Sequence, residues 1–360
     1  MAHYEQRLER DLQRIRATLE TVSEQVEAAH KNAVHALLTG NRDLAYDTVL
    51  GDHVINRAVR RLDRLCHSFI AVHLPSAGHL RHISTVIRTG IALERIGDYA
   101  VTVCREAVQL PKAPEGSLAR EIELMAKDSG QMLHQALDAF LNGNAEAAKA
   151  TMTMADQVER TFDAVFEALS EEEGWNTRDL FAFLVIFNCL ERVSDQAKNI
   201  CEEAVFAVTG ETKAPKVYRV LFLDADNSCL APMAAAIARK RFPASGEYES
   251  AGLKAAKELN PLVVQFLDDR GCKLAASKPA ALEAVPEELA SYQVIVSLQG
   301  PVQRYVKRVP FHTTALEWEI GDCPTPMAAE DVAKVLEEIY RNLAVRIEDL
   351  MTTLRGQEGD

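Results

Sequence analysis

Apolar positions set the elements of this chain. Leu8, Leu12, Ile15, Leu19, Val22 and Val26 recur at alternating steps of four and three. Residues so spaced share one face of a helix, so the chain is expected to begin with a long amphipathic helix whose seam meets a partner. Thr39-Gly40-Asn41 interrupts the pattern, which resumes from Asp43. Pro75 to Gly78 breaks it again, and a further helix is expected over 81–109. Pro111, Pro114 and Gly116 then form a linker, after which the same grammar starts over.

The restart is a duplication. Leu37-Leu38-Thr39-Gly40-Asn41 recurs as Phe140-Leu141-Asn142-Gly143-Asn144. Leu93-Glu94-Arg95-Ile96-Gly97-Asp98 recurs as Leu190-Glu191-Arg192-Val193-Ser194-Asp195. Two copies of roughly 100 residues, each with three helical stretches, predict tandem three-helix bundles over 1–110 and 118–209. The two motifs stand roughly six residues farther apart in the first copy, an excess expected around His73 to Leu80.

After a second linker, Gly210 to Pro215, the pattern changes. Short β-branched and apolar runs at 217–223, 248–253, 292–298 and 311–318 read as strands. Helical stretches are expected at 231–241, 255–270 and 279–290, with a closing amphipathic helix from Pro326 to Leu354. Its apolar residues Val335, Ile339, Leu343, Ile347 and Leu350 read as cover for a sheet, and Trp318 as a packing residue. Strands alternating with helices predict a parallel α/β domain of flavodoxin topology over 217–354.

Composition narrows the function. The formal charge is −13, from 40 Lys and Arg against 53 Asp and Glu, and neither part of the chain is basic. Nucleic-acid and polybasic membrane binding are thereby disfavoured, because both need clustered cations. The first residues hold no apolar signal segment, and no apolar run approaches the ~20 residues that span a bilayer. The longest, Leu180 to Leu190, contains Asn188 and reads as a buried helix. Seven cysteines without a Cys-x-x-Cys pair argue against a disulfide framework and a thiolate zinc site, and place the chain in a reducing cytoplasm. The histidines, among them His67, His73, His79 and His82, read as surface and loop residues.

The chemistry lies in repeated carboxylates. Glu94 and Asp98 stand at i, i+4, as do Glu191 and Asp195. Such pairs share a helix face and repel unless a cation sits between them. Acidic pairs on helices are commonly just solvated, but recurrence in both copies points to metal ions held between bundle helices. On the partner helix, Asp52 and Asn56 have the same spacing in the first copy. The second copy offers the shifted set Asp156, Glu159 and Asp163.

Leu-Glu-Arg-Ile-Gly-Asp and Leu-Glu-Arg-Val-Ser-Asp-Gln-Ala-Lys-Asn-Ile, the Gly-Asn turns, Asp52-x-x-Ile-Asn56 and the Pro75 loop together resemble the PhoU family of phosphate-uptake regulators over residues 1–209. The resemblance implies tandem three-helix bundles with metal sites at Glu94, Asp98, Glu191 and Asp195, and Asp52 and Glu159 as partner-helix ligands. Iron, manganese and magnesium all suit such ligands. It also implies a cytoplasmic, non-enzymatic, homodimeric regulator. Its implied partners are the nucleotide-binding subunit of a phosphate ABC transporter and a sensor histidine kinase. Two positions depart from the pattern: Thr102 stands where the second copy has Asn199, and Ala155 where a carboxylate is expected.

Val220-Leu-Phe-Leu-Asp-Ala-Asp-Asn-Ser-Cys-Leu-Ala-Pro232 reads as strand, tight loop and helix. With Ser250 to Leu253, Val294 to Ser297 and Glu317 to Pro324, it resembles the low-molecular-weight protein tyrosine phosphatases and related arsenate reductases. Their loop carries a Cys nucleophile and, six residues later, an Arg clamp followed by a hydroxyl. Here the nucleophile position is Asp224, the clamp Leu230, the hydroxyl Ala231, and a loop glycine Asp226. Cys229 matches a secondary cysteine, and Asp322 the general acid. The resemblance implies a domain that keeps the fold and has lost the reaction. The rival reading is an active phosphatase or arsenate reductase using Cys229.

Overall fold

The computed structural model describes residues 2–171, 176–212, 216–282, 286–324 and 329–356. The chain divides into two compact units, Met1–Lys213 and Ala214–Asp360.

The first unit is all helix. α1 (Ala2–Thr39), α2 (Arg42–His73) and α3 (Ala77–Gln109) form the first repeat. The second is α4 (Gly116–Leu141), α5 (Ala145–Met152), α6 (Ala155–Glu171) and α7 (Thr177–Thr209). The recurring Gly-Asn pair is a stop followed by a start. Gly40 and Gly143 take left-handed φ values of 67° and 62°. The amides of Asn41 and Asn144 then close back onto Ala36 and Ala139. The side chains of Asn41 and Asn144 accept from Leu44 N and Ala147 N, capping the next helix.

The extra residues of the first repeat are not in the loop after His73. Only 74–76 separate α2 from α3. They lie in the helices: α2 runs 32 residues unbroken, whereas its counterpart is split into α5 of 8 and α6 of 17. At the split, the hydroxyls of Thr151 and Thr153 bond back to the carbonyls of Ala147 and Ala150. Met154 N reaches only to Thr151 O, a tightened turn. Threonine hydroxyls that compete for helix carbonyls favour such a break.

The predicted seam is the core of α1: Ile15, Leu19, Val22 and Val26 are buried, and Leu8 and Leu12 pack at its edge. One continuous apolar cluster runs from Ile15 to Val205 through both repeats. In the 180–190 run, Phe183, Ile186, Phe187 and Leu190 are buried, while Phe181 faces outward. Central to the unit is an antiparallel pair, α3 against α7. Arg88 Nε pairs with Glu203 at 2.5 Å, Arg178 donates to Gln109 at 2.5 Å, and Arg81 donates to the carbonyl of Ala207 at 3.2 Å. His73 is a core residue rather than a surface one; its Nε2 lies 3.0 Å from Asp11 Oδ2.

The second unit has four parallel strands in the order β2-β1-β3-β4: β1 (Tyr218–Asp224), β2 (Gly246–Gly252), β3 (Val294–Ser297) and β4 (Thr314–Glu317). Val220 sits between Tyr248 and Val294 in register. α8 (Leu230–Arg241), α9 (Pro261–Asp269) and α10 (Ala329–Arg355) complete it. Ile339, Leu343 and Ile347 of α10 join the cluster of Val220, Phe222, Val294 and Val296, and Trp318 packs on Phe222. The expected helix over 255–270 is shorter, because Asn260 caps α9 and Pro261 opens it. Near 279–290 there is a bridge from Ala281 to Gly252 and a 3-10 turn at Pro286–Ser291 instead of an α-helix. Residues 213–215 of the linker and Pro326, the expected start of the last helix, lie outside the described residues. Among the described residues no helix is long and apolar enough to cross a membrane.

Candidate functional site

The first carboxylate face is built by α2 and α3. Gly97 of α3 faces α2: a Cβ there would sit 3.5 Å from Asp52 Oδ1, an ordinary packing distance. Asp52 Oδ2 accepts from the Asn56 amide at 2.6 Å. Asp52 Oδ1 and Asn56 Oδ1 are buried without a hydrogen-bond partner. Asp98 feels both neighbours. Burial of its inner side, then the Asp52 and Glu94 carboxylates, raise its pKa, and Arg105 partly offsets them. The structure therefore brings Asp52, Glu94 and Asp98 together, with two unsatisfied oxygens and mutual repulsion. Both features are of the kind a hard cation would relieve. The side chains are not drawn into a closed shell: among the described residues, no three His, Cys, Asp or Glu form a metal-holding group.

The second face lies on α6 and α7. Glu191 and Asp163 are buried, Glu159 and Asp195 half-buried, and Asp156 points outward. Of the shifted set, Glu159 and Asp163, at i, i+4 on α6, are thus the members turned inward. The two repeats meet at one level of the α3–α7 pair. Tyr99, raised by burial, is lowered by Arg192 and Arg95 and raised by Asp195. The signature motifs therefore lie side by side where α3 and α7 cross.

In the second unit, the loop between β1 and α8 surrounds Asp224. Asp224 is buried at 2% exposure. Its Oδ2 accepts from Ala231 N at 2.8 Å, and its Oδ1 accepts from Asn227 N. The loop thus turns backbone N–H groups inward, and the chain's own carboxylate fills the seat they make. Asp226 does not face that seat; its Oδ1 accepts from Ser228 N and Oγ. Asp224 is thus satisfied by the loop as a resident anion. Leu230 and Ala231, at the clamp and hydroxyl positions, are buried in the core.

Gln299 ties this loop to the segment before Pro324. Its Oε1 accepts from Ala225 N at 3.1 Å and its Nε2 donates to Asp322 Oδ1 at 3.0 Å. Cys229 and Cys323 form a disulfide across 94 residues. The cysteine count argued against a disulfide framework and did not anticipate this single bond; the other five cysteines are free. A pair so far apart in sequence leaves no spacing signal; only the fold brings it together. Cys229 is therefore bonded and is not a free nucleophile in this state.

Burial pushes the Asp224 pKa up to about 6, against the pull of the Ala231 and Asn227 amides. The folded unit then binds this proton more tightly than the unfolded chain, whose value is 3.8. Its contribution is full below 3.8 and is lost as pH rises through about 6. The second unit is expected to gain stability, on the order of a few kcal/mol, as pH falls through that window. Asp224→Asn should lose that slope. Urea melts at several pH values check this, and an unchanged slope in Asp224→Asn would contradict the assignment.

Comparison with known proteins agrees with this division. The PhoU domain family model matches residues 19–107 and 122–204. The model for low molecular weight phosphotyrosine protein phosphatase matches 219–358. The phosphate-specific transport system accessory protein PhoU of Escherichia coli is 28% identical over 204 residues, 56% of this chain and 85% of that protein. The PhoU homolog of Pseudomonas aeruginosa is 30% identical over 214 residues, 58% of this chain and 88% of that protein. A crystal structure of PhoU from Pseudomonas aeruginosa superposes with a TM-score of 0.54 at 29% identity, over 56% of this chain and 99% of that one. The chain belongs to the PhoU family, and carries behind its PhoU repeats a domain of the low molecular weight phosphotyrosine protein phosphatase type.

Proposed function

We propose that this protein is a cytoplasmic regulator of phosphate uptake and phosphate-starvation signalling. It acts by binding metal ions on its two carboxylate faces and by contacting other proteins. The observation that carries the reading is the first face: Asp52, Glu94 and Asp98 repel one another, beside buried oxygens of Asp52 and Asn56 that lack partners. A divalent or trivalent ion there would supply the missing positive charge. The residues that would hold it are Asp52, Glu94 and Asp98 on one face, and Glu159, Glu191 and Asp195 on the other. The PhoU relatives are accessory proteins of phosphate transport, which supports a transporter component as partner; the nucleotide-binding subunit and a sensor kinase are the partners this reading assigns. The second unit is a pseudo-phosphatase in this reading. Its nucleophile position is a carboxylate already engaged by the loop, its clamp position is Leu230, and Cys229 is bonded.

Deleting the gene and following a phosphate-starvation reporter in phosphate-rich medium tests the reading. Derepression is expected, together with recovery of the transporter subunit or the kinase on co-purification. An unaffected reporter with neither partner recovered contradicts it. Turnover of an aryl phosphate or of arsenate that vanishes in Cys229→Ser would instead favour the enzyme.

A further inference from the structure

We propose that the Cys229–Cys323 disulfide is a thiol-cleavable latch that makes the second unit responsive to dithiol reductants. It joins the loop that follows β1 to the segment 321–324. Apart from it, the described polar links between those two segments run through Gln299 and through Asn260, whose N donates to Ser228 O at 3.0 Å. Opening the bond therefore leaves 321–324 held near the loop by Gln299, and by the contact of Asn260 Nδ2 with Cys323 Sγ at 3.4 Å.

Burial decides which sulfur is attacked. Cys229 is 2% exposed, at the start of α8 and packed among Leu230, Ala231 and Met233. Cys323 is half-buried, beside the exposed Gly321 and Asp322. A dithiol's thiolate reaches Cys323 Sγ, forms a mixed disulfide there, and breaks the bond to Cys229. Cys229 leaves as a thiolate and takes up a proton. The second thiol of the reductant then displaces Cys323, which leaves in its turn. Both cysteines end reduced and the dithiol ends as a disulfide, so two electrons and two protons have passed to the protein.

The rest of the chain does not compete. The other five cysteines are buried. Burial pushes the thiols of Cys66 and Cys201 up to about 12 and those of Cys104 and Cys189 up to about 11. Thiols so shifted are poor nucleophiles and do not scramble with the latch.

The test uses the full-length protein, isolated without reductant, then exposed to graded dithiothreitol and alkylated while folded. Peptide mapping should find Cys229 and Cys323 linked before reduction, and both freed by dithiothreitol with the other five still protected. Amide exchange over 321–324 should rise about tenfold or more on reduction. Cys323→Ser should show the fast rate with or without dithiothreitol. Three results overturn the proposal: free Cys229 and Cys323 in the isolated protein, a bond reduced only on unfolding, or exchange unchanged by reduction. If Cys323→Ser does not fold, the wild-type measurements decide alone.

Discussion

Gly252→Ala is expected to destabilise the second unit by about 3 kcal/mol or more. A Cβ at 252 would lie 2.5 Å from both Asn227 N and the carbonyl carbon of Asp226, and 2.7 Å from Asp226 Cα. These are backbone atoms and cannot rotate away. The loop they belong to is fixed on this side by Leu253 N to Asp224 O, Lys254 N to Ala225 O and Ala256 N to Asp226 O. Either those bonds or the Asp224 seat must give. For a unit of this size the loss corresponds to a fall in melting temperature of roughly 6–12 °C. Trp318 fluorescence in a Trp175→Phe background follows this unit, since the chain has two tryptophans. Gly51→Ala is the control: nothing lies within 4 Å of its would-be Cβ, and it sits inside α2. It should be neutral or gain up to ~1 kcal/mol. An unchanged melt for Gly252→Ala would mean that the loop does not close onto β2 as described.

Metal should stabilise the first unit substantially. An ion that binds only the folded state, at a hundred times its dissociation constant, adds about 2.7 kcal/mol. In a unit of this size that is a rise of roughly 5–10 °C in melting temperature. Manganese, iron and magnesium are the ions to titrate. The sign for Asp98→Asn differs between the two conditions. Without metal, the change removes the repulsion from Asp52 and Glu94 and should leave stability equal or slightly higher. With metal, it removes a ligand and should take away part of the gain. Glu94→Ala with Asp98→Ala should abolish the first site, and Glu191→Ala with Asp195→Ala the second. Melting curves with and without each ion check both, and no response to any of the three ions refutes the site assignment.

The sequence made the large features legible because they depend on local rules. The a/d seam of Leu8 to Val26 needed only helical spacing, and the Gly-Asn turns only the left-handed glycine and the capping asparagine. The parallel sheet followed from strand–helix alternation. Features set by competition or by distant contact were not legible. The split between α5 and α6 depends on where two threonine hydroxyls bond. The Cys229–Cys323 bond depends on two loops meeting across the fold. Asp224 was readable as a missing nucleophile, yet its place as the anion in the loop's own seat depends on where the Asn227 and Ala231 amides point. On the first face, i, i+4 spacing identified Glu94 and Asp98. The same spacing marked Asp52 and Asn56 on the partner helix, and the fold sets Asp52 beside Gly97 of α3.

The most direct test of the regulatory account is a phosphate-starvation reporter in cells whose only copy carries Glu94→Ala, Asp98→Ala, Glu191→Ala and Asp195→Ala. The variant protein is first shown to be folded and free of metal. In phosphate-rich medium, the account predicts derepression equal to that of the deletion strain. Full repression by that metal-free variant would contradict it.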